Sequence, residues 1–194
     1  MLLDDIRQAT RQYHQELDHE VFQLIKQVKN PADYKKLLQV LYGYYKPLYS
    51  LLNLYLPDAT VPDYNLRRKP DLMLDDLYCF PGGVIHITFC ANIPGISNAS
   101  RAIGVFYVLE GSTMGGQVIS KKIAGNIGLT VSYGFSFLSG YGERNTQMWN
   151  NFLNALNNNG NKYKAEELIA AATEAFSKLK TWINHCYAET AVNC

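Results

Sequence analysis

The chain has 194 residues, 47% of them hydrophobic, and sets 18 Lys and Arg against 17 Asp and Glu. That length suits one ordinary domain with a substantial core. The even charge balance, with no basic stripe or charge block, argues against nucleic acid or a membrane surface as partner and leaves small molecules and proteins. The cysteines Cys79, Cys90, Cys186 and Cys194 form neither a CxxC pair nor a zinc-type spacing, and the N-terminus lacks the basic-then-apolar pattern of a signal peptide. A reducing, cytoplasmic setting is therefore expected, with a Cys79–Cys90 disulfide as the lesser alternative.

From Leu3 to about Lys29, the apolar residues Leu3, Ile6, Tyr13, Leu17, Val21, Leu24, Ile25 and Val28 recur at three- and four-residue steps, which predicts an amphipathic helix. His14 lies on or beside this stripe, whereas His19 is turned away from it. Arg7 is two helical turns before His14, roughly 10 Å along the same face, so a histidine and a cation would look at one space.

Asn30-Pro31 breaks the chain. A second helix is expected from Ala32 to Tyr55, kinked at Pro47. Its tyrosines, Tyr42, Tyr44, Tyr45, Tyr49 and Tyr55, suit plain core in the first instance and the wall of an apolar pocket in the second. Leu56 to Ser97 is rich in proline and predicts irregular chain with one short helix near Leu72 to Leu77. Val84 to Phe89 has strand composition, but a lone strand has nothing to pair with.

Arg101 to Ala124 then reads as one long amphipathic helix interrupted by Gly104, Gly111, Gly115 and Gly116. Those glycines together give up ~3–4 kcal/mol of helix propensity against alanine. Two explanations stand side by side. The glycines let a flat, bulky group approach the backbone and let the helix kink, or they permit a close helix crossing. A transmembrane glycine dimer face is excluded, because Glu110 and Lys121 prevent an apolar run of spanning length.

A glycine-rich loop from Asn126 to Gly142 follows, then a short helix from Thr146 to Leu156 and a strong one from Lys164 to Tyr187, with a frayed end after Ala188. The sum is an all-α helical bundle in a single domain over 1–190 with a tail at 191–194.

Several chemistries can be set aside. A di-iron carboxylate centre needs two Glu-x-x-His motifs on different helices, and Glu16-Leu17-Asp18-His19 has no partner. Gly111-Ser112 lacks the strand and the second half of a nucleophile elbow. Gly115-Gly116-Gln117 sits mid-helix, where no phosphate loop can form. A lone histidine is ordinarily a satisfied, half-buried side chain. Together with Arg7 and the glycine helix, however, His14 outlines a pocket with an imidazole on one wall, bare backbone on another and cations at the rim. Haem fits that composition.

The run Tyr107-Val-Leu-Glu-Gly-Ser-Thr-Met-Gly-Gly-Gln-Val-Ile119 resembles the distal helix of haem oxygenases, closest to the bacterial kind associated with bacteriophytochromes. Ala9-Thr10-Arg11-Gln12-Tyr13-His14 resembles the family's proximal segment, and the similarity continues through Ser139-Gly-Tyr-Gly-Glu-Arg144. The resemblance implies a haem-oxygenase-like bundle with a kinked distal helix. In it His14 is the axial ligand of the haem iron, and Gly111, Ser112 and Gly115 are the distal residues where catalysis occurs. Arg7 and Tyr107 stand at the propionates, with Phe106 the alternative one residue away, and Tyr45 joins the distal hydrogen-bond network. Gly116 and Arg144 complete the cofactor-binding set.

Two positions depart from the animal-type enzymes. Ser112 stands where they have an aspartate that orders the proton-delivering water, a change that phytochrome-associated relatives share. Their basic pair on the last helix has only Lys178, Lys180 and Arg144 as counterparts here. The implied activity is cleavage of haem, at once cofactor and substrate, to biliverdin, carbon monoxide and ferrous iron. It requires O2 and an external electron donor protein, a ferredoxin or flavoprotein reductase, and a bilin-using photoreceptor is a further implied partner.

The alternatives are a non-catalytic haem-binding or sensory domain of the same fold and a helical interaction module without haem. A thiamin-degrading relative ranks last, since neither Cys79 nor Cys90 falls in an expected helix.

Overall fold

The computed structural model describes residues 2–56, 61–82 and 86–192. It is an all-α bundle: α1 (Leu2–Gln27), α2 (Pro31–Tyr55), α3 (Leu72–Tyr78), α4 (Ala99–Asn126), α5 (Ser136–Ser139), α6 (Asn145–Asn158) and α7 (Ala165–Val192). Short 3-10 turns at Tyr64–Leu66, Gly142–Arg144 and Gly160–Lys162 join them, and the described residues contain no strand.

The helix starts follow from their capping residues. At α2 the Asn30 side chain accepts from Asp33 N–H at 3.0 Å while Asp33 accepts from Asn30 N–H at 3.2 Å, with Pro31 opening the helix. That reciprocal box and the proline satisfy backbone groups a helix start would otherwise leave unpaired. Asn98 caps α4 more simply, its side chain accepting from Arg101 N–H. The α1 stripe is buried at Ile6, Leu17, Leu24, Ile25 and Val28, while Tyr13 is 37% exposed.

α4 is the centre of the bundle, packed by α7, α5, α6, α2 and α1. Every residue from Ala102 to Glu110 is buried, so this half of α4 is enclosed all round and not amphipathic as its sequence period predicts; a helix enclosed on every side needs no solvent-facing polar face. The glycines do not divide α4, which runs unbroken through them, and α2 likewise continues through Pro47 as one helix. α7 lies along both α4 and α1. It is longer than its expected end at Tyr187, reaching Val192, because no glycine or proline stops the run after Ala188.

In the 56–97 connection, Val84 and Ile85 of the strand-like run lie outside the described residues. His86 to Cys90 are irregular, with Cys90 N–H donating to the Gly43 carbonyl at 3.0 Å. Cys79, Cys90 and Cys186 are free thiols, so the Cys79–Cys90 bridge is absent; Cys194 lies outside the described residues. No helix among those described is long and apolar enough to cross a membrane.

Candidate active site

A cavity of about 440 Å³ opens between α1, α2, α4, α5, α6 and α7, within the range of ~300–1,000 Å³ typical of cofactor and small-molecule sites. His14, Leu17, Asp18 and Val21 form its α1 wall, and α7 adds Phe176, Leu179 and Ile183. His14 is half exposed and its ring meets Phe176 edge-on at 5.3 Å. Its Nδ1 stands 2.9 Å from Asp18 Oδ2, four residues on. With Nδ1–H donating to that carboxylate, Nε2 keeps its lone pair, the arrangement by which a second carboxylate orients a metal-binding imidazole. His19 is exposed, as the stripe predicts.

The α4 wall carries Tyr107, Val108, Gly111, Ser112, Met114, Gly115, Gly116 and Ile119. Its glycines are not alike. A Cβ at Gly104 would overlap the Leu168 carbonyl oxygen of α7, and one at Gly116 would overlap the Leu138 carbonyl oxygen of α5. A Cβ at Gly115 meets nothing within 4 Å, and one at Gly111 only the Trp149 indole at 3.5 Å. Close packing thus accounts for Gly104 and Gly116, while Gly111 and Gly115 leave the α4 backbone open on the cavity side. Gly116 borders the cavity, but its missing side chain makes room for α5.

Ser112 has its hydrogen bonds committed. Its hydroxyl donates to the Leu109 carbonyl at 2.7 Å and accepts from Arg68 Nη2 at 2.7 Å and from Tyr45 OH at 3.4 Å. That exhausts one donor and two lone pairs, so this hydroxyl cannot also hold a water without giving up a partner. Tyr45 is the α2 tyrosine at the cavity. Tyr44 and Tyr49 are core residues that donate to the Ala175 and Arg68 carbonyls, and Tyr42 reaches Asp71.

Tyr107, not Phe106, faces the cavity; Phe106 is sealed against Tyr64 and Phe152. Burial pushes the Tyr107 phenol above its ordinary range, against the charge and hydrogen bond of Arg7. Arg7 is about half exposed, 3.8 Å from Asp4, and outside the cavity lining, so it stands beside the site through Tyr107. Arg144 is exposed at the end of its 3-10 turn and does not line the cavity. Nor do the basic candidates of the last helix. Lys178 donates to the Ile93 carbonyl, and Lys180 donates to Glu16 at 2.6 Å, which holds that carboxyl below its usual range.

Sequence reasoning missed a buried polar layer behind α4. Arg67 Nη1 meets Glu110 Oε2 at 2.5 Å, both fully enclosed, and also donates to the Met148 carbonyl. Tyr141 OH donates to Glu110 at 2.8 Å and accepts from Arg68 N–H at 2.9 Å, and burial, reinforced by the Glu110 charge, drives its phenol upward. Beside this pair, Arg68 reaches the cavity itself.

A family model described as heme oxygenase matches residues 84–185, just over half of the 194-residue chain. The chain belongs to the haem oxygenase family. A solved structure of heme oxygenase from Neisseria meningitidis, in its NO- and CO-bound forms, shares the fold with a TM-score of 0.76 at 19% identity, over 97% of this chain and 92% of that one. A search of curated proteins finds no match. Haem is the group this family implies, and the cavity suits it. Among the described residues no three His, Cys, Asp or Glu side chains converge on a metal. The apolar walls and the open backbone at Gly111 and Gly115 leave space for a flat macrocycle, and His14 is the imidazole on the α1 wall of that space.

Proposed function

We propose that this chain is a haem oxygenase that binds haem in the cavity between α1 and α4, with His14 as axial ligand. The observation that carries the proposal is the pairing of an imidazole, oriented by Asp18 with Nε2 left free, and a helix whose Gly111 and Gly115 present bare backbone to the same cavity. Bound haem would supply both the O2-binding iron and the ring that is cut to biliverdin, carbon monoxide and ferrous iron, with electrons from a ferredoxin or flavoprotein reductase.

The protein's part is orientation and exclusion. A neutral imidazole is a weaker donor than a thiolate and does not push toward O–O cleavage. Gly111 and Gly115 keep side chains away from the ring, and Leu17, Leu41, Phe137, Leu179 and Ile183 keep bulk water out. Arg7 and Tyr107 would receive the anionic propionates at one edge, where charge-assisted hydrogen bonds are strongest. Tyr45 and Arg68 fix Ser112, so the polar part of the α4 wall is held in one arrangement before any ligand arrives.

One feature favours the second reading, a haem-binding domain without turnover. Ser112 offers neither a carboxylate nor a free hydroxyl for ordering a proton-carrying water. The two readings separate when the purified chain is incubated with haemin and ascorbate under air. Turnover predicts loss of the Soret band with growth of biliverdin absorption, and a persistent Soret band without biliverdin would contradict it.

A further inference from the structure

Arg67 and Arg68 are neighbours in a non-helical segment, and both are enclosed, at 2% and 3% exposure. They are neutralised differently. Arg67 has the Glu110 carboxylate. Arg68 has no carboxylate within ion-pair distance among the described residues. Its Nη1 donates to the Phe137 carbonyl at 3.1 Å, and its Nη2 donates to the Leu109 carbonyl at 2.8 Å and to Ser112 Oγ at 2.7 Å. Its Nε is buried with no partner. Three of five N–H groups are thus used, all on neutral acceptors, and the guanidinium lies 4.1 Å from the centre of the Phe137 ring. A buried cation without a counter-charge is unfavourable unless something brings the missing negative charge.

Arg68 also lines the cavity. The other polar side chains beside it are Tyr45 and the saturated Ser112. The cavity's acid, Asp18, is on the α1 wall and is taken by His14. The α4 side is therefore positively charged, in an interior where charge is weakly screened.

We infer that Arg68 makes the α4 side of the haem pocket an anion site, which takes a small monoanion of the azide or fluoride class in preference to a neutral ligand of similar size. The inference rests on the haem assignment above. Arg68 acts on the ligand through its charge and holds Ser112 through its Nη2 hydrogen bond.

The test is a sodium azide titration of the haemin-loaded full chain, followed at the Soret band, with carbon monoxide binding to the reduced complex as the neutral comparison. Arg68→Met is expected to weaken azide at least about tenfold, as when one member of a buried charge pair is removed. Arg68→Lys keeps the charge and stays within about threefold of wild type on the same scale, and carbon monoxide affinity moves less than about threefold in both variants.

Ser112→Asp covers the case in which Arg68→Met fails to fold. Ser112 Oγ is 2.7 Å from Arg68 Nη2, so a carboxylate there meets the guanidinium, and azide should weaken as it does in Arg68→Met. Azide affinity unchanged in a folded, haemin-loaded Arg68→Met or in Ser112→Asp overturns the inference. So does a parallel loss of azide and carbon monoxide, which marks a packing effect. Weaker haemin binding with azide untouched overturns it too, because the cation is then serving a propionate. Failure of wild type to bind haemin at all strikes the haem assignment and is distinguished by its unshifted Soret band.

Discussion

Gly104 and Gly115 sit in one helix, three turns apart, and do opposite things. At Gly104 the backbone of α7 comes so close that a Cβ would overlap the Leu168 carbonyl oxygen, and Gly116 stands in the same relation to Leu138. At Gly115 a Cβ would enter open space on the cavity side, and at Gly111 it would only touch Trp149. All four cost the helix the same local propensity. Two recover it through packing within the protein. The other two recover nothing from packing within the protein, and in the proposed haem complex they are the positions that leave the α4 backbone open to the ring.

Alanine substitutions separate the pairs by sign. Gly104→Ala should show the largest effect, a loss of about 1–3 kcal/mol from overpacking against α7, read as a lower urea midpoint of the haem-free protein. Gly116→Ala should lose stability in the same direction by a smaller amount, about 1 kcal/mol, because α5 is a four-residue helix (Ser136–Ser139) and yields more easily than α7. Gly115→Ala should reverse the sign. The haem-free protein gains about 0.5–1 kcal/mol of helix propensity, while haemin affinity measured by Soret titration falls. Gly111→Ala should be the mildest, with a gain below about 1 kcal/mol, since its Cβ finds ordinary contact with Trp149. A destabilised Gly115→Ala, or an unaffected Gly104→Ala, would erase the distinction.

Much of the architecture is legible in the residue pattern because it rests on local periodicity. The α1 stripe, the separation of His14 from His19, the Asn30-Pro31 start of α2 and the short α3 all depend on neighbours within a few residues. What was not legible depends on partners far along the chain. Leu66-Arg67-Arg68-Lys69 falls in the stretch expected only to be irregular, yet Arg67 is enclosed because Glu110 lies 43 residues on, and Arg68 because Ser112 lies 44 residues on. The division of the α4 glycines has the same origin, as Leu168 and Leu138 come from other elements. Asp18 was the legible signal left unused: four residues after His14, it occupies the helical position that reaches an imidazole,. Where Arg144, Lys178 and Lys180 lie is likewise set by tertiary contacts: Arg144 is exposed outside the cavity lining, Lys178 donates to the Ile93 carbonyl and Lys180 to Glu16. The saturated bonding of Ser112 could not be foreseen from a residue type that is ordinarily free to rotate its proton.

The most direct test of the central claim is a haemin titration of wild type against His14→Ala. With His14 as axial ligand, wild type gives a shifted, saturable Soret band, and His14→Ala weakens binding or changes the ligand-field spectrum, with added imidazole restoring it. Identical spectra and affinities for the two proteins would contradict the assignment of His14 to the iron.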